Sequence, residues 1–545
     1  MPAADGSALA TDVCLPPGEG PFPTVLIRTP YDRRRHHAEL RAWARRGFVA
    51  IAQDVRGRHG SAGDWSPYRN EAADGVATAR WIRARSWSDG RVVAVGSSYA
   101  AHCALLQGLG PGAPGPGAPA PRGADAVIAA VPALGPTETA REETGPERLL
   151  ARAGWWAAHG DRPDSDETAL DAALDADPRL LTALPVVDLP LRGGRPLPSW
   201  PDLWRHTGPG EVLRRAPGAR VPLLVVAGTG DPFAAEALRL WRSWGGPSAR
   251  LLLGPWGHRL IAEPGPDADP AHRLPLGDLW ARWARAALAG GSIPGRGGAV
   301  ALGGTPHWLP FDGTEPARWS VHPLRADTHP AGTPGTDTRP GDAGPPPGRA
   351  GAALRLLRGA AFTADPERPV RSDDLTVPTT GTPDRCTAVL GPLTEPLHVV
   401  GEPEVRLTCV ADTPVADWAV RLTVLPPGDG SPTTVTGVVR RRDPAGRTAS
   451  VTVPLPPMAR RLPAGTRLRL EIAGHHHPAH ARNPHTGENP VTARRLLPSR
   501  RTVLPAGTAL WLPLPMVGDP APGGSPAAPV PSPIPPVDPV EELCR

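Results

Sequence analysis

Short apolar strands alternate with helices through the first 130 residues, and this alternation constrains the fold more than any other feature of the chain. Three short runs, 24–28, 48–53 and 91–95, are almost wholly apolar, as in strands buried on both faces. Helical patterns separate and follow them at 37–46, about 70–85 and 99–109. Because strands joined by helices pack into a covered parallel sheet, this part of the chain is predicted to be an α/β domain.

The pattern changes twice further along the chain. Residues 137–216 carry helical patches without recurring strands, after which strands return at 221–227 and 250–253. From about 297 the pattern of the sequence changes. Beyond 385, short alternating strands are separated by turn residues, as in an all-β sandwich. We predict an α/β domain with a helical insertion and an all-β domain, with bounds 1–136 and 217–296, 137–216, and 297–514.

Three segments rich in proline and glycine punctuate this plan. Residues 110–121 form a low-complexity run inside the α/β domain, and residues 325–351 read as a loop within the C-terminal domain. The proline-rich tail, 515–545, is predicted to be disordered, because its composition buries little apolar surface.

Composition argues against several classes of protein. The net charge is only +5, and all 59 basic residues are arginine, so the basic balance is attributed to codon bias rather than nucleic-acid binding. Five scattered cysteines favour neither a disulfide framework nor a zinc site. Neither a signal peptide nor an apolar run long enough to cross a membrane is recognised, so a cytoplasmic protein without a membrane partner is expected. The oligomeric state stays open.

The strand at 91–95 runs into a turn of small residues that leads to a helix. A nucleophile elbow needs this arrangement, because a tight strand-to-helix turn projects a serine hydroxyl above the sheet. Ser98 lies two residues after Gly96, whereas Ala100 stands where the generic motif has its second glycine. Ser98 is therefore the candidate nucleophile, and Ser97 is a rival at the wrong offset from Gly96.

A serine nucleophile needs a base that is oriented by a carboxylate. Asp231 follows the strand at 221–227, and His258 follows the strand at 250–253. Each lies just beyond a predicted strand, in the order serine, aspartate, histidine that α/β-hydrolases use. Ser98, Asp231 and His258 are the predicted catalytic residues.

Further motifs extend this pattern along the chain. They are Arg28-Thr29-Pro30-Tyr31, the stretch from Asp54 to Gly63, the elbow from Gly96 to Ala101, the segment from Thr229 to Phe233, Gly254-Pro255-Trp256-Gly257-His258, Leu393 to Leu397, Asp417, Gly465 to Leu470, and Arg482 to Gly487. Together with the predicted catalytic residues, these motifs resemble those of the CocE/NonD hydrolases, relatives of the X-Pro dipeptidyl-peptidases.

The resemblance implies an α/β-hydrolase domain with a helical cap and a C-terminal jelly-roll domain of the galactose-binding type. It also implies an oxyanion hole made by the Tyr31 hydroxyl and the backbone N–H of Tyr99. This role suits both groups, because a tetrahedral intermediate needs donors aimed at its developing charge.

The chain departs from the family pattern in the elbow and around the aspartate. Ala101 replaces a family glycine, and Thr229 and Gly230 replace aromatic residues. The α-amino-acid ester hydrolases of this family carry acids just after the aspartate to bind the substrate ammonium. Here the first acid is Glu236, which weakens the amino-ester reading.

These residues predict a serine hydrolase that cleaves a small-molecule ester or amide and needs no cofactor and no metal. Two alternatives stay open: a peptidase or acyltransferase, including an X-Pro dipeptidyl-peptidase-like enzyme, and an inactive homologue that acts as a binding protein. A cluster of histidines could bind a metal, but packing or solvation is the preferred interpretation; its members are His475, His476, His477, His480 and His485.

Overall fold

A computed structural model describes residues 1–110, 123–291, 294–313, 316, 318–326, 352–358, 360–376, 382–515 and 535–544. The chain divides into two compact units, which comprise residues 1–143, 147–314 and 536–545, and residues 144–146 and 315–535. The predicted loops at 110–121 and 325–351 lie almost wholly outside the described residues, as does most of the predicted tail.

The first unit is built on a mostly parallel sheet. Nine of its described strands form this sheet in the order β1-β3-β2-β4-β5-β6-β7-β10-β11, and only the two edge pairs, β1 with β3 and β10 with β11, are antiparallel. Strands β8 and β9 form a separate hairpin. The bounds are β1 Thr11–Cys14, β2 Phe22–Thr29, β3 Val49–Asp54, β4 Ser88–Ser97, β5 Ala126–Ala130, β6 Leu223–Gly228, β7 Ser248–Gly254, β8 Trp256–Gly257, β9 Leu260–Pro264, β10 Gly295–Ala301 and β11 Trp308–Pro310.

Helices cover both faces of this sheet, because its strands are apolar on both faces. Val25 and Ile27 pack into one core cluster with Trp43 and Trp283, whereas the intervening Leu26 packs with Ile82 on the other face. The helices of the unit are α1 His37–Arg45, α2 Glu71–Arg83, α3 Tyr99–Leu109, α4 Pro136–Ala140, α5 Leu149–His159, α6 Ala169–Ala176, α7 Leu189–Arg192, α8 Trp200–Leu203, α9 Glu211–Arg215, α10 Ala234–Ser243, α11 Leu276–Leu288 and α12 Pro539–Cys544.

The segment predicted as a helical insertion, 137–216, lies between β5 and β6. All of its residues are described, and they form helices α4 to α9 and short 3-10 turns, with no strand. We refer to this segment as the cap. Together with the parallel sheet, it confirms the α/β-hydrolase architecture expected for the N-terminal part.

The second unit is all-β, as predicted. Ten of its described strands form one sheet, and β16 pairs with β21 apart from it. The sheet curls, because β19 and β20 lie far apart in the strand order yet approach each other around one apolar core. The bounds are β12 Arg318–Arg325, β13 Leu354–Leu356, β14 Ala361–Ala364, β15 Arg385–Leu390, β16 Leu397–Gly401, β17 Glu404–Ala411, β18 Val415–Leu425, β19 Thr433–Arg442, β20 Thr448–Pro454, β21 Met458–Leu462, β22 Arg467–Ala473 and β23 Ser499–Leu514.

The predicted domain boundary at 297 is wrong. Strand β10 pairs in parallel with β7, and β11 pairs with β10, so the first unit continues to residue 314. No strand was predicted here, yet Gly298 lies in a close strand contact where a Cβ would come within 2.4 Å of the Leu251 carbonyl oxygen. No helix among the described residues of either unit has the length and apolarity needed to span a membrane.

The tail prediction, 515–545, is wrong for its last residues. Helix α12 belongs to the first unit, where the Leu543 side chain is fully buried in the core and Val537 and Val540 pack against the same cluster. The backbone N–H of Val537 also donates to the Trp308 carbonyl. Apolar residues recur every three positions in this segment, but the surrounding prolines made it resemble a disordered tail. Residues 516–534 lie outside the described residues.

Because Leu543 is fully buried, Leu543→Ala is expected to lower the free energy of unfolding of the first unit by roughly 2–5 kcal/mol. The matched control is Leu191→Ala, which makes the same change at a leucine that is 68% exposed. Chemical denaturation followed by tryptophan fluorescence measures both. Equal stability of the two variants would mean that α12 contributes nothing to the unit.

Candidate active site

Ser98 lies in the tight turn that joins β4 to α3. Its backbone has φ 57° and ψ −121°, a strained conformation for a residue with a side chain, while Ala100 and Ala101 continue as ordinary helix. Backbone hydrogen bonds hold the turn: the Ser98 N–H donates to the Ala130 carbonyl, and the Ser98 carbonyl accepts from the Ala133 N–H. This is the geometry that projects a serine hydroxyl above the carboxyl end of a sheet.

The elbow depends on glycine at one position. A Cβ on Gly96 would lie 2.2 Å from the backbone of Ala100, so only glycine allows the strand and helix to approach this closely. Ala100 and Ala101 are buried and already fit. The alanines that depart from the generic motif therefore occupy positions where the backbone does not require glycine.

Asp231 and His258 follow neighbouring strands, β6 and β7. Backbone hydrogen bonds join the two loops, from Thr229 to Gly254 and from Gly230 to Trp256. A hydrogen bond of 2.8 Å then connects His258 Nδ1 to Asp231 Oδ1, with the Asp231 side chain fully buried and the His258 side chain 37% exposed. The His258 ring also packs edge-on against Phe233, at 5.6 Å between centroids.

Ser98 and His258 line the same cavity, whose volume is about 380 Å³. The structure therefore brings the predicted serine and the Asp231–His258 pair to one site. All three tyrosines of the chain, Tyr31, Tyr68 and Tyr99, also line this cavity. The remaining wall comes from cap helices and from the loop after Asp231.

The Tyr31 hydroxyl lies at the elbow. It interacts with the Ser98 hydroxyl and with the backbone N–H of Tyr99, the first residue of α3. That N–H belongs to a helix N-terminus, where amides lack partners within the helix and favour negative charge. The indole N–H of Trp155 donates to the Tyr31 hydroxyl oxygen at 3.1 Å, and since indole is only a donor, the phenol proton remains free to be donated.

The side chain of Tyr99 has a structural role that differs from the role of its backbone N–H. Its hydroxyl donates to Glu71 at 2.7 Å and accepts from the Tyr68 N–H at 2.6 Å. Burial raises the pKa of Tyr99 well above its ordinary value, and the charge of Glu71 adds to this. The buried phenol therefore anchors the first turn of α3, and with it the backbone N–H of Tyr99.

Helix α5 of the cap contributes residues that the sequence interpretation did not single out. Arg148, the N-cap residue of α5, and Arg152, Trp155 and His159 within the helix all line the cavity. Their spacing of three and four residues places them on one helix face. That spacing was visible in the sequence, but the direction in which the face points depends on how the cap packs.

The two arginines of this face differ in their charge partners. Arg148 donates to Glu142 and to the buried Glu236, at 2.7 and 2.6 Å. Burial opposes the charge of Arg148, yet the two carboxylates outweigh it and raise its pKa. Burial also raises the pKa of Glu236 to about 6. Glu236, the first acid after Asp231, is therefore paired with an arginine of the chain itself.

The predicted histidine cluster lies in the second unit. His475, His477, His480 and His485 are buried. Burial lowers the pKa of His477 and of His485 to about 4, so these rings are neutral near neutral pH. The Nε2 atom of His485 accepts from Arg501, and its Nδ1–H donates to the Leu497 carbonyl. Both ring nitrogens are therefore used in hydrogen bonds within the protein. No group of three or more potential metal ligands occurs among the residues that the structure describes.

Two family profiles match the chain: residues 5–259 match X-Pro dipeptidyl-peptidase (S15 family), and residues 331–509 match the X-Pro dipeptidyl-peptidase C-terminal non-catalytic domain. The cocaine esterase of Rhodococcus sp. (strain MB1 Bresler) is 30% identical over 291 residues, or 47% of this chain. The match covers 48% of that esterase, about half of its length.

Solved structures resemble the chain over nearly its whole length. An α-amino acid ester hydrolase is 20% identical with a TM-score of 0.70, covering 94% of this chain and 95% of its own. An aminopeptidase from a marine sediment archaeon, Thaumarchaeota archaeon, is 18% identical with a TM-score of 0.72, covering 94% of both chains. At such low identity these likenesses bear on fold alone. The two profiles, which together span most of the chain, and the esterase match show that the chain is similar to the CocE/NonD-type hydrolases and to the S15 X-Pro dipeptidyl-peptidases.

Proposed function

We propose that the chain is a serine hydrolase that cleaves an ester, or secondarily an amide, through an acyl-enzyme formed on Ser98. The observation that carries the proposal is the meeting, in one cavity, of a serine in an elbow conformation and a histidine bonded to a buried aspartate. A serine at its ordinary pKa is a weak nucleophile, and this arrangement supplies the base that it needs.

The proposed reaction follows from these positions. The Ser98 hydroxyl attacks the substrate carbonyl while His258 takes its proton, and His258 then protonates the departing alcohol or amine. Water, activated by the same imidazole, releases the acid and restores Ser98. Asp231 holds the Nδ1 proton of His258, so the other ring nitrogen is left free to act as the base.

The oxyanion of the intermediate would be bound by the Tyr31 hydroxyl and the backbone N–H of Tyr99. Trp155 supports this role, because its donation to Tyr31 leaves the phenol proton for the oxyanion. Burial raises the pKa of Tyr31, which keeps the phenol protonated at neutral pH.

An ester without an α-ammonium group fits the cavity better than an amino ester. Asp231 is followed by Pro232 and Phe233, which line the cavity, and Glu236 is bound to Arg148. The acids that line the cavity, Glu167 and Asp171, are exposed. The substrate is therefore proposed to be a small-molecule ester, with peptidase or acyltransferase activity as the alternative.

Fluorophosphonate labelling tests the proposal against an inactive homologue. An active serine hydrolase is expected to gain one adduct in intact mass, which peptide mapping assigns to Ser98. A screen of p-nitrophenyl esters and of aminoacyl and X-Pro anilides then separates esterase from peptidase. A chain that neither labels nor turns over any of these substrates would point to the binding protein instead.

Tyr31→Phe is expected to lower kcat by about 10²–10³-fold, as for other oxyanion-hole donors, with little change in KM. The substitution removes only the hydroxyl, so the ring packing against His159 is kept. Tyr68→Phe, the same change in the same cavity, is the matched control and should leave kcat on a neutral ester largely intact. Wild-type kcat in Tyr31→Phe, on a substrate limited by acylation, would assign the hole to other donors.

A further inference from the structure

Arg152 is the one cavity-lining arginine for which no carboxylate partner is found among the described residues. It lies in α5, one turn after the N-cap residue Arg148, and is only 5% exposed. Its guanidinium interacts with the phenol of Tyr68, and its Nε is buried without a hydrogen-bond partner. Arg148, by contrast, is held between Glu142 and Glu236.

An arginine in this position is costly unless something pairs with it. Arginine stays protonated in proteins, and burying a charge without a partner is strongly unfavourable. Burial lowers the pKa of Arg152, and its neighbour Arg148 adds to that effect. The acids of the cavity wall do not compensate, because Glu167 pairs with Arg35 at 3.4 Å and Asp171 is exposed.

The planar guanidinium presents donors in a fork that matches a carboxylate. The wall of the same cavity includes the apolar side chains of Trp155, Leu170 and Phe233. We infer that the cavity takes esters or amides that carry a carboxylate, separated from the scissile carbonyl by an apolar linker, and that Arg152 binds this carboxylate. This inference rests on the proposed function and gives the substrate a charge opposite to that of an amino ester.

A charge series on one carbon chain tests the inference. The substrates are monomethyl adipate, its terminal amide, methyl 6-aminohexanoate and methyl hexanoate, with the glutarate and suberate homologues to vary the reach. Esters of acetate with 6-hydroxyhexanoate and with its amide place the carboxylate on the leaving group instead. Methanol or acetate release gives kcat/KM for the wild type, Arg152→Gln and Arg152→Lys.

The wild type is expected to prefer a carboxylate substrate over its amide. The Arg152→Gln variant is expected to lose about 30-fold or more in kcat/KM on the carboxylate substrate, because the substitution removes one partner of a buried ion pair. Methyl hexanoate should change little in Arg152→Gln. Arg152→Lys should recover only part of the preference, because a lysine keeps the charge without the fork. Arg205→Gln, at a side chain 77% exposed in the cap, is the matched control for loss of charge.

A wild type that does not distinguish the carboxylate from the amide at any length would overturn the inference. So would an Arg152→Gln variant that loses activity equally on methyl hexanoate, which would indicate a structural role. If no ester is turned over, the thermal shift produced by monomethyl adipate, compared with its amide, in the wild type and in Arg152→Gln decides the matter without catalysis. Failure of Ser98 to label, with that shift intact, would overturn the proposed hydrolase and leave the carboxylate site standing.

Discussion

Ser98→Ala is expected to lower kcat by on the order of 10³- to 10⁶-fold, because the variant lacks the atom that forms the acyl-enzyme. The fold should survive, since alanine is smaller and the Ser98 backbone already makes the hydrogen bonds of the turn. Fluorophosphonate labelling should disappear in the same variant. Slow residual turnover that depends only on the cavity and the oxyanion donors is compatible with this result. A burst of product is not, because a burst reports an accumulating acyl-enzyme.

Ser97→Ala is the matched control, because it makes the same change one residue earlier, at the end of β4. Ser97 is not one of the described residues that line the cavity, and it is exposed. Its activity and labelling should equal those of the wild type. If labelling survives in Ser98→Ala and is lost in Ser97→Ala, the nucleophile has been misassigned.

The sheet could be predicted from the sequence because its strands are marked by strong local signals. The strand predicted at 91–95 is β4, Ser88–Ser97, and the one predicted at 221–227 is β6, Leu223–Gly228. Local apolarity identifies such strands because both of their faces are buried. Their ends then locate the candidate site, since parallel strands bring their carboxyl ends to one edge.

Segments whose structure depends on distant contacts could not be predicted in this way. Strand β10 contains Gly297 and Gly298, and its pairing with β7 and β11 makes it a strand. Helix α12 is too short to be stable alone and forms where Leu543 is buried by the core. In both cases tertiary packing outweighs local composition.

The same limit applies within the cavity. The positions of Ser98, Asp231 and His258 follow from the ends of strands. The role inferred for Arg152 depends instead on the absence of a carboxylate partner for it among the described residues. A sequence shows that an arginine is present on a helix, but only the packed cap shows that the carboxylates Glu142 and Glu236 face Arg148 instead. The proposed chemistry could therefore be predicted from the sequence, whereas the proposed specificity could not.

Asp231→Asn is expected to lower kcat by on the order of 10⁴-fold at neutral pH, with the geometry of the site preserved. Asp231 Oδ1 accepts from His258 Nδ1 at 2.8 Å, and the asparagine is isosteric but can present its amide N–H₂ to that nitrogen. The imidazole would then carry its proton on the nitrogen that should receive the Ser98 proton. The loss should fall on kcat rather than KM, and fluorophosphonate labelling should slow in parallel. Asp202→Asn, at a side chain 59% exposed in the cap, is the control and should behave as wild type. A kcat in Asp231→Asn within tenfold of the wild type, on a substrate limited by acylation, would show that this carboxylate does not orient the base.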